Sequence, residues 1–265
     1  MGEAAVPSLR VAAVGDLHCT RSSQGKLRPL FAEAAARADV LLLCGDLTDY
    51  GTPEEAQVLA GELGVVRHLP VLGVLGNHDH ESGRVEEVVH ILLGAGVRMI
   101  EGEPAEVGGL GFAGVKGFGG GFGRHTLEPW GEASTKAFVQ ESVQEALRLE
   151  SALARLTTPQ KVAVLHYAPI QRTVEGEPPS IFPFLGSSRL EEPINRYGVA
   201  AVFHGHAHRG TLEGRTQAGV PVYNVSLPLL RQSWPEGPLV RVVDVPLAPS
   251  AERRSGDRRG LAAVP

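Results

Sequence analysis

The chain has 265 residues, 25 Lys and Arg against 30 Asp and Glu, and a formal net charge of -5. A weakly acidic balance argues against a nucleic-acid binder that works through a broad basic face. Hydrophobic residues make up 43%, enough for a sizeable core, and no apolar run approaches the roughly 18 residues of a membrane span. The two cysteines, Cys19 and Cys44, form no disulfide framework. With no long apolar segment near the N-terminus, they lead us to expect a cytoplasmic protein.

Along the chain, apolar runs first alternate with helical patterns. Leu9–Val14 reads as a strand, and 26–37 as a helix with Leu27, Leu30, Phe31 and Ala34 on one face. Val40–Leu43 is a second strand. Thr52, Pro53, Glu54 and Glu55 form a helix start, with a Thr cap, Pro at the first position and acids in the first turn. That helix should run to about Leu63. Residues 71–75 make a third strand and 84–93 a third helix. This order implies a mostly parallel sheet with helices on its faces.

Beyond residue 96 the pattern changes. Short strands are expected at 97–100, 105–107 and 110–115, then a glycine-rich loop at 117–123. A long helix should span 135–156 with Val139, Val143, Ala146, Leu147 and Leu153 as its apolar stripe. A buried strand at 161–165 ends at His166, and 171–188 reads as a long Pro/Gly-rich loop. A short helix at 190–197, a strand at 199–203, and strands at 210–213, 220–225 and 238–245 complete the reading. We expect one domain over 1–250 and a disordered tail over 251–265.

Five short motifs punctuate these elements, most of them directly after an apolar run: Asp16-Leu17-His18, Gly45-Asp46, Gly76-Asn77-His78-Asp79, His166, and Gly205-His206-Ala207-His208. Open α/β sheets place ligands at such strand ends. If the strand continues, Asp16 and His18 at i and i+2 point to one face and reach one ion. Asp46 could bridge two cations, one per carboxylate oxygen, at the roughly 3.5–4 Å separation of two-metal sites. Asn77 offers a neutral oxygen ligand. His78 is placed to face substrate as a general acid, with Asp79 holding its tautomer. His206 and His208 could each serve one metal. Taken singly, each has a plainer reading: an Asp capping a loop, a core histidine, a polar turn. Asp49 and His204 are expected to steady the site without ligating.

The joint occurrence of these motifs in this order resembles the calcineurin-like metallophosphoesterase superfamily, with its pattern D-x-H, GD-x-x-D, GNH-[DE], H and GH-x-H. The resemblance implies a four-layer α/β/β/α sandwich with two mixed sheets and a dinuclear site at the strand C-terminal ends. It implies one metal on Asp16, His18, Asp46 and His208, and another on Asp46, Asn77, His166 and His206. The mixed N/O ligand set suits Mn, Fe or Zn. The implied activity is hydrolysis of a small phosphodiester by a metal-bridging hydroxide, with His78 protonating the leaving group. A phosphomonoesterase or a nuclease on the same fold is the alternative, and a non-catalytic scaffold the alternative of another class. Substrate selection is expected in the loops: 117–123 with Arg124 and His125 could form part of a pocket rim, Tyr167 follows a ligand, and Ser187, Ser188 and Arg189 could meet a phosphate, but a plain solvated loop is the favoured reading for each.

Overall fold

The computed structural model describes residues 7–248, so the expected tail at 251–265 lies outside the described residues. Eleven strands form two mixed sheets among the described residues. The first sheet comprises β1 (Ser8–Val14), β2 (Val40–Cys44), β3 (Val71–Val74), β4 (Val97–Met99) and β11 (Arg241–Pro246), in the order β11-β1-β2-β3-β4. Only β11 runs antiparallel to its neighbour. The second comprises β5 (Ala105–Val107), β6 (Leu110–Val115), β7 (Gln160–Leu165), β8 (Ala201–His204), β9 (Glu213–Arg215) and β10 (Pro221–Asn224), in the order β5-β6-β7-β8-β10-β9. Strands β6, β7, β8 and β10 are parallel and the two edge strands antiparallel.

Strand periodicity divides each central strand between two cores. In β2, Val40, Leu42 and Cys44 face the second sheet, where they meet Phe112, Val162, Val164 and Phe203. Leu41 and Leu43 face the opposite way, onto α1 (Arg28–Arg37), α2 (Pro53–Glu62) and α3 (Val85–Gly94). The second sheet repeats the division. Ala163 and Leu165 of β7 pack under α4 (Ala133–Arg155) and α6 (Glu191–Arg196). The result is the expected four-layer α/β/β/α sandwich. It explains why the central strands read as unbroken apolar runs: both faces are buried.

Local signals set the helix ends. Thr52 accepts from the Glu55 N–H at 3.4 Å while Glu55 accepts from the Thr52 N–H at 3.2 Å, a complete capping box. Glu62, buried at the end of α2, accepts from the N–H groups of Gly25, Leu27 and Arg28, and so anchors the start of α1.

Three expectations change. In α4, Leu147 is 50% exposed, while Ser142, Glu145 and Leu149 are buried. The stripe is rotated because Glu145 turns inward to accept the Gly117 N–H at 2.6 Å. The 171–188 segment is not a plain loop. It holds 3-10 turns at Gln171–Val174 and Pro179–Ile181 and a one-turn helix, α5 (Phe182–Leu185). Val174 and Leu185 from it join Phe122, Ala168 and Ala207 in a small core of their own. An unexpected helix, α7 (Leu227–Ser233), follows β10.

Phe112 is fully buried between the sheets. Phe112→Ala is expected to cost about 3–5 kcal/mol of stability, read from the urea unfolding midpoint.

Candidate metal centre

The motifs converge because of sheet order. Strands β1, β2 and β3 are neighbours in one sheet, β7 and β8 are neighbours in the other, and all five run parallel within their sheets. Their C-terminal ends meet at the seam between the sheets. Backbone bonds tie the loops together there: Asp16 N–H to Gly45 O at 2.9 Å, His18 N–H to Asp46 O at 3.0 Å, and Gly205 N–H to His166 O at 3.1 Å.

Four of these residues have left-handed backbones although none is glycine: Asp16 (φ 55°), His18 (42°), Asp46 (47°) and His206 (69°). Such conformations are strained outside glycine and cluster at functional sites. They also correct the strand argument for Asp16 and His18. Both lie past the end of β1, and the kinked loop aims them, not an i, i+2 alternation. The glycines beside them make room: a Cβ on Gly76 would collide with Asp46 Oδ1, and one on Gly205 with Asp16 Oδ2.

The side chains form two adjoining groups, Asp16 with His18 and His208, and Asp46 with His166 and His206, with a third, His18, Asp46 and His78, between them. In the first, His208 Nε2 is 2.9 Å from Asp16 Oδ1 and 3.5 Å from His18 Nε2. In the second, His166 Nε2 is 3.3 Å from Asp46 Oδ1 and 3.1 Å from Asn77 Oδ1. Asp46 joins the two, since its Oδ2 lies 3.9 Å from His18 Nε2. Ligand atoms around one ion with bonds of about 2.1 Å stand roughly 3.0–3.4 Å apart, so these separations suit a cation.

The outer hydrogen bonds decide which nitrogen faces inward. His18 Nδ1 donates to Asp49 Oδ1 at 3.1 Å, and His166 Nδ1 donates to Cys44 O at 3.0 Å. Their Nε2 lone pairs therefore point into the site. His206 Nε2 donates to Phe184 O at 3.1 Å, which leaves Nδ1 as its inward atom. Carboxylate oxygens, an amide oxygen and imidazole nitrogens converge there, and the His78 and His206 N–H groups donate to only part of the carboxylate capacity. A divalent cation satisfies that arrangement.

Without a cation the site's own charges compensate one another, and a cation would have to displace the proton this leaves on His166. Burial opposes ionisation of Asp16 and Asp46, but histidine contacts hold both carboxyls below their usual range. Burial also opposes the charged form of His166, yet Asp46 outweighs it and lifts the imidazole to about 9. Burial, then His166, pushes His206 down to about 3. His204, buried behind the site, is pushed down to about 4 by burial; its Nε2 lies 2.8 Å from Thr173 Oγ1.

His78 and Asp79 depart from expectation. The Asp79 carboxylate does not touch His78. It is fully buried and accepts from Leu47 N–H, Thr48 N–H, Thr48 Oγ1 and Gly76 N–H at 2.6–3.1 Å. Burial pushes this carboxyl up, but four donors and no acceptor favour the ionised form. Asp79 thus staples the loop after β2 to the loop after β3. His78 Nδ1 instead donates to Asp49 O at 2.7 Å. Its ring is not turned away from the ligands. It stands edge-on to His18, with centroids 4.6 Å apart.

Asp49 takes the steadying role expected of it, but sequence reading misses the other acceptors that orient the ligands, the carbonyls of Cys44 and Phe184. The second Asp of Gly45-Asp46-Leu47-Thr48-Asp49 is the one available signal. It also misses Asn224, whose amide donates to Thr173 O and Ala207 O and holds the His206–His208 turn. Ser188 and Arg189 serve the loops, the plainer of the two roles considered for them. Ser188 Oγ accepts the Gly123 N–H, and Arg189 donates to Leu127 O.

Asp79→Asn introduces an amide donor among four donors. The expected loss is about 2–3 kcal/mol of stability, with weaker metal retention. Thermal unfolding and metal content after gel filtration would check it; an unchanged melting temperature would refute the staple.

Comparison with known proteins adds the lineage. No curated protein matches the sequence. The phosphopantetheinyl hydrolase PptH from Mycobacterium tuberculosis superposes with a TM-score of 0.63 at 17% identity, covering 90% of this chain and 96% of that one. The protein TT1561 of Thermus thermophilus superposes with a TM-score of 0.52 at 15% identity, covering 90% and 99%. At such identities these likenesses speak for the fold. The calcineurin-like phosphoesterase family matches residues 9–210, more than half of the chain, and the protein belongs to that family.

Proposed function

We propose that this phosphoesterase hydrolyses a small phosphodiester with two divalent ions. The observation that carries this reading is Asp46, which turns one oxygen toward His166 and the other toward His18. One ion would be held by Asp16, His18, Asp46 and His208, the other by Asp46, Asn77, His166 and His206. Their nitrogen and oxygen donors favour Mn, Fe or Zn. When bound, such a pair neutralises charge on the phosphoryl oxygens and makes a water nucleophile available near neutral pH.

The chain's own residues supply the rest. Asp49 and the Cys44 carbonyl fix the His18 and His166 tautomers. His78 has its Nδ1–H committed to Asp49 O, so Nε2 is the position from which it can protonate a leaving alkoxide. Asp79 acts at a distance, by setting the loop that carries His78. No thiol competes as nucleophile: burial pushes Cys19 up to about 12 and Cys44 well above its usual range. The motif set is shared by cyclic-nucleotide phosphodiesterases and by many broad phosphoesterases, and of these we favour the diesterase. The acidic net charge disfavours a nuclease. Among the described residues, no helix is long and apolar enough to cross a membrane. With two free cysteines, we place the protein in the cytoplasm.

Two experiments test this reading. Hydrolysis of bis-p-nitrophenyl phosphate should rise with added Mn²⁺, vanish with chelator and exceed that of p-nitrophenyl phosphate. Chelator-insensitive turnover would sink the metal mechanism, and preference for the monoester would make the enzyme a phosphatase. His78→Ala should lower kcat on an alkyl diester by about 10²–10⁴-fold. It should affect p-nitrophenol release far less, because that leaving group needs no proton. Equal losses on both would remove His78 as the acid.

A further inference from the structure

Lys116 follows β6 directly, and β6 lies beside β7 with Val115 in register with Leu165. The next step of that register sets Lys116 beside His166, and the Lys116 carbonyl accepts both the His166 and the Tyr167 N–H at 3.0 Å. A lysine thus leaves the same row of strand ends that supplies the ligands, one strand further out.

Its ammonium is half-buried, and among the described residues no carboxylate stands within salt-bridge distance of it. The nearby acids are committed elsewhere: Glu101 to the Leu75 N–H, Glu145 to the Gly117 N–H and Arg148. Nζ donates to Gly117 O at 3.0 Å, which leaves two N–H bonds unspent. It rests 5.0 Å from the Phe118 ring centroid and 5.3 Å from that of Tyr167. Cation–π contacts position a charge without neutralising it. Tyr167 in turn packs 4.3 Å from His206 and 5.4 Å from His166, centroid to centroid, which ties this patch to the metal centre. His80 is pushed down by burial and by Lys116, and the acids around it, Asp79, Glu145 and Glu86, only partly offset this.

We propose that Lys116, seated on Phe118 and Tyr167, binds a second anionic group of the substrate, a phosphate or carboxylate carried beyond the scissile phosphoryl. This rests on the phosphoesterase reading above. Phe118 in turn packs 4.9 Å from Phe138 of α4, centroid to centroid. The scissile group would be served by cations held among Asp16, Asp46 and the histidines. Lys116 therefore selects among leaving groups and stands outside the reacting atoms.

The test compares phenylphosphonate with 3-carboxyphenylphosphonate by titration calorimetry on the Mn²⁺-loaded full chain. Wild type should bind the carboxylated ligand about tenfold tighter, one charge-assisted hydrogen bond's worth. Lys116→Met, which keeps the aliphatic stem on the rings, should bring that preference to about one, and Lys116→Arg should retain most of it. Unfolding midpoints identify any variant that fails to fold. Absence of a preference in wild type, its survival in Lys116→Met, or an equal loss of affinity for both ligands would overturn the subsite while leaving the phosphoesterase reading intact. Binding of neither phosphonate by wild type would overturn that reading and the subsite with it.

Discussion

Two carboxylates, Asp16 and Asp46, lie almost fully buried at the seam between two sheets. Charge removed from water in this way is tolerated only with compensation. The compensation is visible: His208 and the His206 N–H on Asp16, His166 and the His78 N–H on Asp46. The same oxygens and imidazoles could also hold a cation, which would complete it. The four-layer sandwich, the strand order and the kinked loops can all be understood as the means of bringing these two acids together.

The means are costly in themselves. Four non-glycine residues in left-handed conformations each carry strain of about 1–3 kcal/mol. Such strain persists only where the surroundings over-determine the loop. Here they do. Parallel strands on both sides are buried on both faces, Asp79 staples the second loop to the third, and Asn224 pins the last turn. An outer ring of acceptors then sets imidazole tautomers, so that the inward nitrogens are lone pairs. In the proposed reading the inner ring would hold the ions, while its orientation belongs to Asp49 and the Cys44 and Phe184 carbonyls behind it.

Much of this is legible in the chain. Unbroken apolar runs mark the strands because both faces of each are buried, and the box at Thr52 and Glu55 is a local interaction that sequence records directly. Motifs after strands mark the site because strand ends are where parallel sheets gather side chains. Elements of four residues, such as Phe182–Leu185, have no period to read. The α4 stripe escapes the periodicity because Glu145 is polar yet buried by a partner 28 residues away in the chain. Asp79 next to His78 invites a pairing by adjacency, whereas its partners are 3, 31 and 32 residues away.

By itself, then, the sequence determined the inventory: which residues end strands, which donor types they offer, and the apolar pattern that makes two covered sheets the stable arrangement. Tertiary structure alone decided how that inventory is used. Whether Asp79 meets a histidine or four backbone and hydroxyl donors, which imidazole nitrogen turns inward, and which lysine is left without a carboxylate all depend on contacts between distant segments. Such contacts are set by packing and the satisfaction of buried polar groups, and neighbouring letters carry no record of them.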